Sequence, residues 1–214
     1  MSYPVRPITI EEKEALYDKY APCPFHTAKA DISGCCIKLY TLSDSTKDMW
    51  EDNFYSMSEA VRSHGRVICL DDPNRPLEAL YEPATKTAFL FNFDYYGWIK
   101  SVALAIAGDI LEDEHQIYSV HGAALDMDGK GVTLIAPSKT GKTTHSWGLL
   151  RSKDARLVTD DWYYVRLSER RPVAFGSEKN CYIDADIGTI WEEYRGLVER
   201  AKLDNRKRAV VNVR

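Results

Sequence analysis

A segment rich in lysine and threonine in the second half of the chain has the composition of a phosphate-binding loop. Residues 136–144 read Ala-Pro-Ser-Lys-Thr-Gly-Lys-Thr-Thr and follow a mostly apolar run from Val132 to Ile135. A strand that enters such a loop and continues as a helix directs backbone N–H groups and the positive end of the helix dipole at one point. The pattern therefore predicts a polyphosphate site, with Ala136 standing where the usual pattern has its first glycine.

The residues predicted to bind the ligand are Ser138, Lys139, Thr140, Gly141, Lys142, Thr143 and Thr144. Lys142 is expected to reach the outer phosphates, and the Thr143 hydroxyl is expected to ligate Mg²⁺. ATP and Mg²⁺ are thus the predicted ligands, while GTP or pyrophosphate stays open as the phosphate donor. The alternative is a Gly-Lys-Thr turn that only opens a helix.

Two adjacent carboxylates follow the loop. Leu157-Val158-Thr159 predicts a short strand that ends in Asp160 and Asp161. Side chains alternate along a strand, but at its end both carboxylates can turn toward one cleft. There one could hold Mg²⁺ while the other accepts a proton from an attacking hydroxyl. An Asp-Asp pair is also common in turns, so it supports a site only together with the loop.

In combination, these segments resemble the catalytic core that HPr kinase/phosphorylase shares with ATP-dependent phosphoenolpyruvate carboxykinase. The resemblance covers roughly residues 117–185 and rests on the order and spacing of several pieces. These are His121-Gly122-Ala123-Ala124-Leu125, the turn Asp128-Gly129-Lys130-Gly131, the phosphate-binding loop and the Asp160-Asp161 strand. Phe175, Glu178 and Cys181-Tyr182 are similar to the carboxykinase segment that follows its acid pair.

The resemblance implies a role for each catalytic candidate. Lys142 would bind the β- and γ-phosphates, Asp160 would act as base on the acceptor hydroxyl, and Asp161 would lie near the metal; the two aspartates could exchange roles. His121 would lie close to the transferring phosphate, the alternative being a histidine buried in a hairpin. Arg208 is similar to a carboxykinase arginine that neutralises transition-state charge, but its basic neighbours favour solvation at the surface.

As a function, the resemblance implies an ATP- and Mg²⁺-dependent kinase that transfers the γ-phosphate to a hydroxyl, most simply a serine hydroxyl. The acceptor would be a protein or a small molecule. It stays unidentified, because the HPr kinase signature that follows the acid pair is absent from this sequence. A nucleotide-binding sensor or regulatory module without phosphotransfer is the alternative.

Composition sets the outer limits of these interpretations. The chain has 214 residues, a formal net charge of −4 and a pI of about 5.8, which argue against a nucleic-acid partner. No apolar stretch approaches the roughly twenty residues of a membrane helix, so no membrane association is expected. The five cysteines, with Cys35 and Cys36 adjacent and no metal-ligand spacing, predict reduced thiols in the cytoplasm.

Hydrophobic periodicity predicts an α/β fold. The motif at 136–144 adds a P-loop, and the antiparallel hairpin before it fits the mixed, partly antiparallel sheet that the resemblance to the HPr kinase and carboxykinase core implies. The expected helices span residues 9–20, 45–64 (with Trp50, Phe54, Met57 and Val61 on one face), the segment after Asp94 (with Trp98, Val102, Ile106 and Ile110 on one face), 142–150 and 186–200. The expected strands span 66–70, 77–81 and 87–93, a hairpin of 117–127 with 132–135, the acid-pair strand and two further strands ending at Phe175.

Two regions are expected in this order: a small α/β region at 1–95 of unknown role and a kinase-like core at 96–214. The chain ends in the strand-like run 209–214, Ala-Val-Val-Asn-Val-Arg. Because natural termini are usually exposed and polar, this run predicts either a fragment or a last strand that pairs within the sheet or across a homo-oligomer.

Overall fold

The computed structural model of the chain describes residues 3–137, 140–169, 171–204 and 206–212. Helices and strands combine in a mixed α/β fold, as the sequence predicts. The chain divides into two compact units, residues 1–114 and 115–214. The helix at 96–115 therefore belongs almost entirely to the first unit, whereas the expected boundary at 95/96 assigns it to the second.

The first unit is organised around one sheet with the strand order β1-β6-β7-β5-β3-β2-β4. Its elements are β1 (Val5–Pro7), α1 (Ile10–Tyr20), β2 (His26–Ile32), β3 (Cys35–Thr41), α2 (Asp44–Asn53), β4 (Tyr55–Ser56), β5 (Gly65–Leu70), β6 (Glu78–Glu82), β7 (Thr87–Phe91) and α3 (Tyr96–His115). Strand β5 pairs in parallel with both β3 and β7, and β1 pairs in parallel with β6. The remaining pairs are antiparallel, so the sheet is mixed.

Helices α1 and α3 confirm two of the helices expected in this unit. Thr9 caps α1: its hydroxyl accepts from the Glu12 N–H, and the Glu12 carboxylate accepts from the Thr9 N–H. In α3, Ile106 and Ile110 of the predicted face are buried, but Trp98 and Val102 are only half-buried. Ile99, Ala103 and Leu104 are among the residues that complete the buried side of the helix. Within the described parts of the chain, no helix combines the length and apolarity that crossing a membrane would require.

The amphipathic helix expected at 45–64 is wrong over its second half. Helix α2 begins after the Ser43 cap and ends at Asn53, and Phe54 is already extended, with φ −113° and ψ 155°. Tyr55 and Ser56 form β4 and pair with β2, which places Met57 and Val61 outside the helix. Strand pairing therefore overrides an apolar spacing that by itself favours a helix.

The second unit contains separate three-stranded antiparallel sheets, with the orders β10-β9-β11, β13-β12-β8 and β14-β16-β15. Its elements are β8 (Ile117–His121), β9 (Ala123–Met127), β10 (Lys130–Leu134), α4 (Lys142–Leu149), β11 (Ala155–Thr159), β12 (Trp162–Arg166), β13 (Val173–Gly176), β14 (Asn180–Asp184), α5 (Ile187–Ile190), a 3₁₀ turn (Glu192–Tyr194), α6 (Arg195–Arg200), β15 (Lys202–Leu203) and β16 (Arg208–Asn212).

The long hairpin arm expected at 117–127 is divided at Gly122. Strand β8 pairs with β12, whereas β9 pairs with β10 through the predicted Asp128-Gly129 turn and with β11 on its other side. A Cβ at Gly122 would lie 2.8 Å from the Leu134 carbonyl oxygen. Only glycine allows the chain to pass from one sheet to the other this close to β10.

The helix expected at 186–200 is also wrong, because it is broken at Trp191. This residue is extended, with φ −131° and ψ 110°, and it packs beside a small core that contains Trp147. A Cβ at Gly188 would lie 2.9 Å from the Arg195 Cα, which shows how sharply the chain folds back between α5 and α6. Tertiary packing of one tryptophan here overrides a helical pattern.

Strand β16 confirms the strand expected near the end of the chain. It is the central strand of its sheet, paired with β14 and with β15. The terminal run therefore pairs inside this unit over its described residues; Val213 and Arg214 lie outside them.

Candidate functional site

The segment between β10 and α4 carries the predicted phosphate-binding residues. Gly141 precedes α4 with φ 95°, a left-handed conformation that glycine adopts without strain. Lys142 is the first helical residue, and its ammonium donates back to the carbonyl oxygens of Ala136 at 2.9 Å and Pro137 at 3.4 Å. The hydroxyl of Thr140 also donates to Pro137 O, at 2.6 Å. Ser138 and Lys139 lie outside the described residues.

Asp160 and Asp161 form the turn that joins β11 to β12. The carbonyl oxygen of Trp162, directly after them, accepts two side-chain hydrogen bonds: from Thr159 Oγ1 at 2.9 Å and from Ser177 Oγ at 2.6 Å. Both hydroxyl-bearing residues are buried. These bonds tie the acid pair to its own strand and to the segment before β14.

One pocket of about 90 Å³ brings the acid pair together with the first turn of α4. Thr143, Asp160 and Asp161 line it, which is the meeting of helix and acids that the sequence predicts. Five further residues complete the lining: Glu178, Asn180, Cys181, Tyr182 and Arg208. Lys142 is not part of the lining, and Thr144 is exposed on α4.

Asp160 is the most unusual side chain in this pocket. Only 4% of the residue is exposed, and its Oδ1 has no hydrogen-bond partner among the residues the structure describes. Burial, followed by the neighbouring Asp161 charge, raises the pKa of Asp160 to about 6, although polar groups of Trp147, Ser146 and Thr143 act in the opposite direction. A carboxylate in this state can exchange a proton near neutral pH.

Asp161 and His121 form a second, more accessible pair at the pocket. His121 Nε2 lies 3.2 Å from Asp161 Oδ1, and about half of each side chain is exposed. The imidazole stacks on Trp162, with ring centroids 5.9 Å apart and planes inclined by 26°. The alternative of a histidine buried in a hairpin is therefore wrong. The main chain links the same elements, because Gly122 N–H donates to Asp161 O at 3.0 Å.

The interpretation of Arg208 as a solvated surface residue is also wrong. Only 25% of its side chain is exposed, and it lines the pocket. Its guanidinium lies 5.0 Å from the centre of the Tyr182 ring and pairs with Asp204. In the sequence Arg208 looks like one member of a short basic run at the surface. Its buried partner Asp204 stands before that run and is not recognisable from the basic pattern.

Glu178 and Asn180 are pocket residues that motif reasoning alone leaves out of the candidate site. Both are buried, at 7% and 3% exposure. The available signal is a glutamate and an asparagine placed at the start of an apolar strand, Cys181 to Ile183, where polar side chains must find polar surroundings.

The oxygen atoms of this pocket fit Mg²⁺ held jointly with a phosphate ligand. Mg²⁺ is usually bound through one or two carboxylates together with waters and substrate phosphates. Thr143, Asp161 and the unpartnered oxygen of Asp160 supply such groups. Across the described ranges, no group of three or more His, Cys, Asp or Glu side chains is placed to hold a metal by itself.

Comparison with models of known protein families gives no match to this chain, and a search of curated proteins gives no significant match either. The functional interpretation therefore depends on the geometry of the pocket and on the motifs in the sequence. The site defined by these residues combines a loop and helix N-terminus, an acid pair and one arginine.

Proposed function

We propose that the second unit is an ATP- and Mg²⁺-dependent kinase of the HPr kinase-like type, which transfers the γ-phosphate to a hydroxyl group of a protein or small molecule. One observation carries the proposal: a buried carboxylate with an unpartnered oxygen, Asp160, shares a pocket with Thr143 and Asp161. Mutually placed hydroxyl and carboxylate groups of this kind are what phosphoryl transfer requires.

Nucleotide binding would use the segment before α4. The first N–H groups of the helix have no partner within it and favour phosphate oxygens. Lys142 would exchange its bonds to Ala136 and Pro137 for the β- and γ-phosphates. Thr143 and Asp161 would hold Mg²⁺, whose charge offsets that of the transferring group. Arg208, which lines the same pocket, would add a second positive charge.

In the transfer step, Asp160 would accept the proton of the acceptor hydroxyl. The acceptor oxygen then bonds to the γ-phosphorus, the bond from that phosphorus to the β,γ-bridging oxygen breaks, and ADP leaves with the electron pair. A pKa of about 6 leaves Asp160 mostly ionised at pH 7 yet basic enough to take the proton. His121 would hold the Asp161 carboxylate through its 3.2 Å contact.

A nucleotide sensor without phosphotransfer is the second candidate. The observation that favours it is the engagement of the Lys142 ammonium by two carbonyl oxygens of its own loop. A loop whose lysine is satisfied in this way would change conformation when phosphates replace those carbonyls. Such a change can report nucleotide binding without chemistry.

Transfer of radiolabelled γ-phosphate from ATP with Mg²⁺, using cell extract as the source of acceptors, tests the proposal. Lys142→Ala and Asp160→Asn should each abolish labelling. Matched controls are Lys153→Ala and Asp154→Asn, which change exposed residues of the same unit and should label as the wild type does.

Calorimetric titration with ATP separates the two candidates. The kinase predicts weaker ATP binding for Lys142→Ala, with binding largely retained in Asp160→Asn. Tight ATP binding by the wild type without labelling of any acceptor would refute the kinase and support the sensor. Absence of both binding and labelling would refute both.

A further inference from the structure

Asp204 uses its two carboxylate oxygens for different tasks. Oδ1 accepts from the backbone N–H of Arg206 at 2.9 Å and of Arg208 at 2.8 Å. Oδ2 accepts from Arg208 Nε at 2.9 Å and lies 2.8 Å from one of its Nη atoms. One oxygen therefore holds the connection between β15 and β16, and the other holds the guanidinium at the start of β16.

The connection itself is also closed by main-chain bonds. Asp204 N–H donates to Arg208 O at 2.9 Å, and Lys207 N–H donates to Asp204 O at 2.9 Å. The turn thus has hydrogen bonds that do not depend on the charge of Asp204. A neutral side-chain oxygen at position 204 could still accept from the two remaining N–H groups.

Burial of a charged Asp204 is the feature that the turn does not explain. Its side chain is 1% exposed, and removing a carboxylate from water is costly unless it is paired. The pairing partner is Arg208, which is fixed on a second side by the ring of Tyr182 and lines the pocket of the acid pair. The buried charge therefore sets the position of the pocket's arginine.

We propose that Asp204 is a positioning residue, which holds the guanidinium of Arg208 in the orientation that binds a phosphate oxygen of the nucleotide. The inference rests on the proposed function, because it assigns a phosphate to this pocket. Arginine suits this task, since its planar fork can keep one edge on Asp204 while other N–H groups face the ligand.

Asp204→Asn tests the proposal with little change in shape. The amide oxygen can still accept from the N–H groups of Arg206 and Arg208, so the turn is kept, whereas the amide N–H₂ cannot accept from the guanidinium. Positioning predicts a fall in kcat/KM for ATP of about tenfold or more, as small misplacements of binding groups commonly cause. If the only role of Asp204 were to neutralise the charge of Arg208, its replacement would leave that charge available to attract phosphate. The variant would then bind ATP more tightly than the wild type.

Asp126→Asn is the matched control. Asp126 Oδ1 accepts from Gly129 N–H at 2.7 Å in the turn between β9 and β10, and it is not among the residues that line the pocket. This variant should keep the wild-type kcat/KM, and thermal unfolding should show both variants folded.

A double-mutant cycle with Arg208→Lys completes the test. Lysine keeps the charge but loses the planar fork, so Asp204→Asn should add little further loss in the Arg208→Lys background. Additive losses, or an Asp204→Asn variant with wild-type kcat/KM, would overturn the inference while labelling by the wild type still supported the kinase. A wild type that neither binds ATP nor labels an acceptor would refute the proposed function itself.

Discussion

Two buried carboxylates, Glu82 in the first unit and Asp160 in the second, have opposite surroundings. In the first unit, Glu82 is 2% exposed and accepts from Ala84 N–H at 2.7 Å, from Thr85 N–H at 2.8 Å and from the Thr85 hydroxyl. In the second unit, Asp160 is 4% exposed, and one of its oxygens has no partner in the described structure. A buried acid whose oxygens are hydrogen-bonded stabilises a turn, whereas the oxygen of Asp160 that has no partner in the described structure carries an unfavourable burial energy.

The two units also differ in how many apolar side chains they bury. Most of the fully buried apolar side chains belong to the first unit, where β7 is buried along its whole length. The second unit has a smaller apolar core, and three of its buried polar residues, Asp160, Glu178 and Asn180, line one pocket. The first unit also buries polar residues, such as Asn53 and Glu82, but they lie beside a larger apolar core.

Neutral replacements of the two acids should change stability in opposite directions. The pKa of Asp160 is raised in the folded state, so its charge is unfavourable there above about pH 6, and Asp160→Asn should raise the free energy of unfolding at pH 7 by about 3 kcal/mol. Although burial acts to raise it, hydrogen bonds from Thr85 and Ala84 lower the pKa of Glu82, so Glu82→Gln should cost about 1–3 kcal/mol. Urea unfolding measures both.

The pH dependence of the two stability changes tests this comparison. Because the folded-state pKa of Asp160 exceeds the unfolded value, the stabilisation by Asp160→Asn should shrink as pH falls from about 6 toward 4. The Glu82→Gln loss should also shrink at low pH, where the wild-type Glu82 becomes protonated. Destabilisation by Asp160→Asn at pH 7 would contradict the contrast.

In the absence of Mg²⁺ and nucleotide, the carboxyl of Asp160 should titrate with a midpoint near pH 6, because burial and the Asp161 charge raise its pKa. Asp161→Asn removes the neighbouring charge and should lower that midpoint. Carboxyl-carbon NMR shifts followed between pH 4 and 8 measure this. A midpoint that stays unchanged in Asp161→Asn would show that the charge of Asp161 does not act on Asp160.

Loss of either hydroxyl that bonds to Trp162 O should have the smallest effect. Thr159→Val and Ser177→Ala each loosen the acid-pair turn, so we expect kcat to fall several-fold with KM for ATP unchanged, because the nucleotide contacts remain. Thr159→Ser should restore activity.

Thr189→Val is a matched control for Thr159→Val and Ser177→Ala, since the Thr189 hydroxyl donates to Asp186 O at 2.6 Å at the exposed start of α5. It should leave kcat unchanged. An equal effect of Thr189→Val and Thr159→Val would show that the loss comes from general destabilisation.

Local signals in the sequence predict much of this structure. Thr9 with Glu12 fixes the start of α1, and the Asp128-Gly129 turn fixes the β9–β10 hairpin. The strand and helix on either side of the 136–141 segment, and the acid pair after β11, also follow from local pattern. Each depends on residues a few positions apart, where hydrogen bonding and periodicity decide the conformation.

What the sequence does not predict depends on distant partners. The extended conformation of Trp191 reflects packing beside Trp147, and the end of α2 reflects pairing of β4 with β2. The pocket position of Arg208 depends on the ring of Tyr182 in the neighbouring strand β14 as well as on Asp204, four residues earlier. Contacts of this kind produce no regular spacing of residue types in the sequence, so periodicity does not predict them.

Gly122 joins features that the sequence keeps far apart. Its N–H donates to the Asp161 carbonyl oxygen. Because it has no side chain, the end of β10 can lie close to it, and β10 leads into the segment before α4. A single methyl group there would clash with the Leu134 carbonyl oxygen at the end of β10 and crowd the side chains of Ile135 and Tyr163. The placement of the acid pair beside the end of β10 therefore depends on a residue that has no side chain.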